Sequence, residues 1–277
     1  MDERASKIME YMRTHWPSVV KPEWRVSDEM YPEIIRRVVA DWTKGATRGR
    51  KFFRIAGQSG SGKTTQLLPA VEVWFAEQEC KPVLVAARRF VEYHPFAKEI
   101  EAEYGSANLR EKTNEVSTIL MFLVLQELIG RGYDVILDVT LLDPLVEDFL
   151  ASELMGAKYE MRMSFVAVSK EISDGFIAKR QGGGGGKKEG GRVVAKSTAA
   201  EFWRVIDGAL QFYAGKCPKM KILIWNAWDR EPVFDGRVGD ARAVRLARKY
   251  WKILEVPRRG DEEELALRKV EYMRKWR

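Results

Sequence analysis

Cysteine is nearly absent from this 277-residue chain, with only Cys80 and Cys217 present. They lie far apart and outside any C-x-x-C pattern, so neither a disulfide framework nor a zinc site organises the fold, and a reducing, cytoplasmic setting fits. Long hydrophobic runs are missing too. The longest, ILMFLVL at 119–125, falls well short of the roughly 20 apolar residues that a membrane span needs. The charged start MDERASK leads into no signal-peptide core. Excess charge is scarce outside one region: the formal net charge is +7, yet residues 237–277 carry 13 basic and 7 acidic side chains. The rest of the chain is therefore almost neutral, which argues against a protein that coats nucleic acid. What the chain does have is 45% apolar residues, enough to bury a full-sized core.

From residue 51 onward, short β-rich runs alternate with longer helical patterns: KFFRIA, PVLVAA, YDVILDV, MRMSFVAV and MKILIWN. Such alternation predicts an α/β fold, a P-loop NTPase-like parallel sheet covered by helices on both faces. Residues 1–50 read as an N-terminal helical extension, with Ser27 as a helix start and Gly45 as a stop. Residues 51–238 read as the core domain and 239–277 as a C-terminal helical extension. Asn108 with Glu111, Asp143 beside Pro144, and Thr198 with Glu201 match helix-start chemistry. QGGGGGKKEGG, between Arg180 and Arg192, predicts a glycine-rich lid near 181–191. In the first C-terminal helical pattern Val244, Ala247, Trp251 and Leu254 share a face, while Arg245, Arg248, Lys249 and Lys252 lie elsewhere. This reads as a docked helix with a solvated basic side. The scattered tryptophans read as packing.

One stretch carries chemistry: GQSGSGKTT at 57–65, after a predicted strand and before a predicted helix. Gly57, Gly62, Lys63 and Thr64 satisfy G-x-x-x-x-G-K-[ST]. The pattern makes physical sense because glycines let successive backbone N–H groups approach a phosphate at the positive end of a helix. Gly57, Gln58, Ser59, Gly60, Ser61, Gly62, Lys63, Thr64 and Thr65 are the candidate nucleotide-binding residues. Lys63 reaches the β and γ phosphates, and the Thr64 hydroxyl takes a magnesium position. Asp138 ends the strand VILD, at the carboxyl edge where open α/β sheets collect ligands, and is the candidate metal-side carboxylate. A turn cap is its alternative reading. Thr140 follows two residues later. Arg180 and Arg192 are candidates for stabilising a transferred phosphoryl group, with electrostatic support of a helix end as the alternative.

AGQSGSGKTT, RRFVEYHPF, RGYDVILDVT, SFVAVSKE with AKR, and the later GGR together resemble the zeta toxin family of P-loop kinases, the toxin halves of bacterial toxin–antitoxin pairs. The resemblance covers about residues 50–235. It implies phosphorylation of UDP-N-acetylglucosamine or a related nucleotide sugar at a sugar hydroxyl, with ATP or GTP and magnesium, and a protein antitoxin as partner. By position it assigns Lys63 to phosphate binding, Asp138 to the acidic residue after the third strand, and Arg180 and Arg192 to the phosphoryl-clamping arginines. His94 and Pro95 fall at the family's His-Pro pair; a lone histidine is otherwise more often structural.

The chain departs from the family at one position. Two residues before Phe90, where the family has the aspartate that accepts the substrate proton, stands Arg88, which stays protonated and is no base. Glu92 and Asp138 are the carboxylates that could replace it, and Arg88 itself could bind an anionic acceptor. The leading expectation is therefore a kinase acting on a small-molecule hydroxyl. The alternatives are an inactive nucleotide-binding member and, from the basic tail, a polynucleotide kinase or nucleic-acid-binding protein.

Overall fold

The side chains of the first strand of the sheet, β1 (Lys51–Gly57), divide between two faces, as the pleat requires. Phe53 and Ile55 join one buried cluster while Phe52 joins another on the opposite face. This is the pattern of a sheet covered on both sides, and the computed structural model has that architecture. It describes residues 3–57, 61–139, 144–169, 208–226, 231–251 and 262–276. The further strands are β2 (Val83–Val85), β3 (Val135–Asp138), β4 (Glu160–Ala167), β5 (Lys221–Asn226) and β6 (Phe234–Arg237). They form one six-stranded sheet in the order β2-β3-β1-β4-β5-β6. All neighbours run parallel except β5 and β6, which pair antiparallel. The five expected strands are present. β6 was not expected, because FDGR has neither an apolar run nor clear alternation to announce it.

The described helices are α1 (Glu3–His15), α2 (Tyr31–Trp42), α3 (Leu68–Ala76), α4 (Ala97–Tyr104), α5 (Ser106–Lys112), α6 (Asn114–Gly130), α7 (Pro144–Gly156), α8 (208–216), α9 (Ala241–Trp251) and α10 (Glu262–Lys275). None of the described helices is long and apolar enough to cross a membrane. ILMFLVL lies in the middle of α6, which is apolar all round and is accordingly buried all round. One of its sides meets Ile8, Met9 and Met12 of α1 and Ile34, Val38 and Val39 of α2, so the N-terminal helices share this core.

On the opposite face α10 lies along α3, turning Leu265, Lys269, Met273 and Trp276 inward. The Arg162 guanidinium lies against both Trp276 and Trp74, at 4.7 and 4.6 Å from their ring centroids. Lys269 is fully buried, with its ammonium 5.4 Å from the Trp225 ring centroid. In the first C-terminal helix, α9, Ala247 of the expected apolar face is buried, as is Ala243, while Arg245 and Lys249 are exposed.

Local helix chemistry departs from expectation at Asn108. α5 begins at Ser106, after Gly105, so Asn108 sits inside the helix and donates to the Tyr104 carbonyl at 2.8 Å. Gly105 (φ +80°) makes the sharp break between α4 and α5, and the helix therefore starts three residues before the point an Asn108 cap sets. Asp143, Thr198 and Glu201 lie outside the described residues, as does the glycine-rich stretch.

Candidate active site

The site is assembled where β1 and β3 end side by side. Their parallel register pairs Ile55 with Asp138, so the turn leaving β1 and the last residue of β3 share the carboxyl edge of the sheet. Gly57 has φ +131°, and a Cβ there would lie 2.7 Å from the Val166 carbonyl oxygen. Only glycine fits both the conformation and the close approach. Gly62, at φ +88°, opens the helical segment and receives the Gln66 N–H on its carbonyl at 2.9 Å.

The first turn after Gly62, Lys63–Leu67, is wound as a π-helix, in which the Leu68 N–H reaches back to the Lys63 carbonyl. Pro69 gives a physical reason. It has no N–H to donate to the carbonyl of residue 65, and its ring crowds that carbonyl, so the chain widens before α3 proper begins.

Within this turn the Lys63 ammonium donates to the Gly57 carbonyl at 2.7 Å, closing the loop upon itself. The Ser61 hydroxyl is buried and has no hydrogen-bond partner among the described residues. Thr64 Oγ1 donates to Asp138 Oδ2 at 3.2 Å. Arg88 completes the cluster: its Nη1 lies 3.1 Å from Asp138 Oδ2 and 3.4 Å from Thr64 Oγ1. Asp138 has 3% of its side chain exposed, whereas Arg88 has 42%. A buried carboxylate is thus matched by one hydroxyl and one cation that reaches in from the surface.

Arg88 gets there because β2 pairs with β3, Val85 opposite Leu137, and the chain then turns through a 3-10 segment, Ala87–Tyr93. Arg89, its neighbour, points elsewhere, with its guanidinium 4.1 Å from the Trp42 ring centroid. Glu92 is exposed and has no hydrogen bond or ion pair to Thr64, Arg88 or Asp138 among the described residues. His94 is buried, and its Nδ1 receives the Phe96 N–H at 3.2 Å. Burial pulls its pKa from the ordinary 6.5 down to about 4, so the ring is neutral at neutral pH. Sequence reading makes Arg88, Glu92, His94 and Thr140 the acceptor-side candidates, and the first three lie among the described residues. Of the three, the fold brings Arg88 alone to Asp138. Gln58, Ser59, Gly60, Thr140, Arg180 and Arg192 lie outside the described residues.

The donor set can be tested against magnesium, the metal the family resemblance implies. A carboxylate and a hydroxyl 3.2 Å apart are the hard oxygen ligands that this ion takes. No group of three or more His, Cys, Asp and Glu side chains among the described residues could hold a metal on its own. The pair therefore suits a metal that draws its remaining ligands from phosphates and water.

Two buried features that sequence reading missed support this edge from below. Arg54 of β1 forms a two-pronged ion pair with Glu147 of α7, at 2.7 and 2.8 Å, and the Tyr213 hydroxyl of α8 donates to the same carboxylate. No spacing rule links residues 54, 147 and 213, so the only available signal was an arginine and a glutamate standing in apolar stretches.

No curated protein matches the chain. Among solved structures, the toxin–antitoxin system PezAT of Streptococcus pneumoniae aligns at 18% identity and TM-score 0.65, covering 90% of this chain and 98% of that one. The AvrRxo1-ORF1:AvrRxo1-ORF2 complex with sulphate ions aligns at 11% identity and TM-score 0.51, covering 99% of this chain and 84% of that one. The same complex with ATP has a TM-score of 0.50 at 11% identity, with the same 99% and 84% coverage. At such identities these likenesses speak to the fold. The zeta toxin family model matches residues 43–238, well over half of the chain, and on that match the protein belongs to the zeta toxin family.

Proposed function

We propose that this chain is a phosphotransferase that moves the γ-phosphoryl group of ATP or GTP to a hydroxyl of a small molecule. The observation that carries this reading is the meeting of the Gly57–Gly62–Lys63–Thr64 turn with the buried Asp138 at one edge of a parallel sheet. In this reading the main-chain amides from Gly57 through Thr65, including those of Gln58, Ser59 and Gly60, wrap the triphosphate tail. The Lys63 ammonium exchanges the Gly57 carbonyl for the β and γ phosphates. Thr64 and Asp138 would hold magnesium, which neutralises phosphate charge when it binds with the nucleotide. Arg180 and Arg192 clamp the transferred group.

Family membership supports a nucleotide sugar such as UDP-N-acetylglucosamine as acceptor, and the complexes named above support a protein antitoxin as partner. Proton removal from the acceptor falls to a weak base or to none. A loose phosphoryl transition state deprotonates its nucleophile late and tolerates this. The test is incubation of the purified protein with γ-labelled ATP, magnesium and a metabolite extract. A labelled small molecule is the expected result, and its absence at concentrations where ATP binds removes the kinase reading.

A second reading is favoured by one observation: the carboxylate nearest the phosphate turn is already engaged by Arg88. On this reading the chain binds nucleotide without turning it over. ATP then raises the melting temperature while its γ phosphate stays in place, and Arg88→Asp creates turnover. Binding of RNA or DNA that weakens steeply with salt would instead support the nucleic-acid reading drawn from the basic tail.

A further inference from the structure

We infer that Arg88 is a resident cation of the phosphate site, supplying to a bound triphosphate part of the positive charge that a divalent metal otherwise brings. The inference rests on the phosphate-binding reading of residues 57–65 and adds a role for a residue outside that turn.

Three observations carry it. Arg88 Nη1 lies within hydrogen-bond reach of both oxygens that suit a metal, Asp138 Oδ2 at 3.1 Å and Thr64 Oγ1 at 3.4 Å. It reaches them from the surface, with 42% of its side chain exposed against 3% for Asp138. Finally, a guanidinium has five N–H donors, and among the described residues only Nη1 is engaged. The remaining donors form the planar fork that suits phosphate oxygens.

The electrostatic consequence follows from charge counting. With Arg88 beside it, the buried Asp138 carboxylate is neutralised, so a dication arriving alone must displace or share space with a fixed positive charge. With Arg88 removed, the carboxylate is unpaired and attracts the dication more strongly. A triphosphate, by contrast, is attracted by Arg88 whether or not a metal accompanies it.

The test is calorimetric titration of ATP into the full chain and into Arg88→Ala, each in magnesium and in EDTA. Arg88→Gln serves as a variant that keeps a polar, hydrogen-bonding side chain without the charge, and thermal melts check that all three fold. The unsubstituted chain should bind metal-free ATP within about tenfold of its affinity in magnesium. Both variants should lose about ten- to hundredfold in EDTA, the range set by a hydrogen bond to a charged group, with little loss in magnesium. Manganese alone, followed by electron paramagnetic resonance, should bind the variants more tightly than the unsubstituted chain. Equal magnesium-to-EDTA affinity ratios in the unsubstituted chain and in the variants overturn the role of Arg88 while leaving the phosphate turn intact. Failure of the unsubstituted chain to bind ATP in either buffer overturns the phosphate turn itself, and this inference with it.

Discussion

Strand β3 has a buried aspartate at each end, and the two are used in opposite ways. Before the strand, Asp134 receives the backbone N–H groups of Gly49 and Lys51 at 3.0 and 2.9 Å, together with the Thr47 hydroxyl. The three donors come from the short approach to β1 and from its first residue, so the carboxylate fastens one strand to its neighbour. At the far end, Asp138 receives no backbone N–H from the described residues. Its partners among them are the side chains of Thr64 and Arg88, from two separate crossings of the sheet. Main-chain donors cannot be exchanged without undoing the fold, whereas side-chain donors can swing away and leave the carboxylate to a ligand. The comparison separates a carboxylate held by main-chain donors from one met by exchangeable side chains, although both are buried and lie four residues apart.

The largest effect expected lies beneath both. Breaking the Arg54–Glu147 pair by Arg54→Ala leaves an uncompensated buried carboxylate and should cost about 3–5 kcal/mol, read from the midpoint of denaturant unfolding. Next, Asp134→Ala removes three hydrogen bonds and should cost about 2–3 kcal/mol. Asp138→Ala should cost under about 1 kcal/mol, since its ion pair is half open to solvent, but it should weaken ATP binding in magnesium. Equal destabilisation by the two aspartate substitutions would erase the distinction drawn between them. Lys63→Ala should leave the melting temperature unchanged while lowering ATP affinity about ten- to hundredfold.

The smallest effect concerns pH. His94 resists protonation in the fold until about pH 4, against an ordinary 6.5. The unfolded chain therefore binds more protons between those values. The stability that neutral His94 contributes is full above about 6.5 and is lost as pH falls toward about 4. In His94→Gln, the drop in melting temperature between pH 7.5 and 5 should be smaller by the part due to this ring. An unchanged slope would show that other groups set the acid sensitivity.

Much of the site was legible in the chain itself. The glycine turn is local: Gly57 and Gly62 take positive backbone φ angles that favour glycine, and strand, turn and helix follow one another directly along the chain. The end of VILD could be read as a site position because parallel sheets expose their carboxyl edges. The partners of Asp138 could not be read, because nothing in RRFVEYHP distinguishes Arg88, which reaches the carboxylate, from Arg89, which stacks on Trp42. Lys269 was equally opaque. Helical spacing puts it on the same face as Leu265 and Met273, yet its charge argues for solvent, and the fold buries it with its ammonium 5.4 Å from the Trp225 ring centroid.

The sequence by itself therefore determined the periodic strands, the glycine turn and the parallel class of the sheet, since each depends on the conformational freedom and polarity of adjacent residues. Tertiary structure alone decided that β3 lies between β1 and β2. That strand order brings Thr64, Arg88 and Asp138 to one point. It is set by how helices and strands pack to exclude water from both faces of the sheet, a balance summed over the whole chain and carried by no short stretch of it.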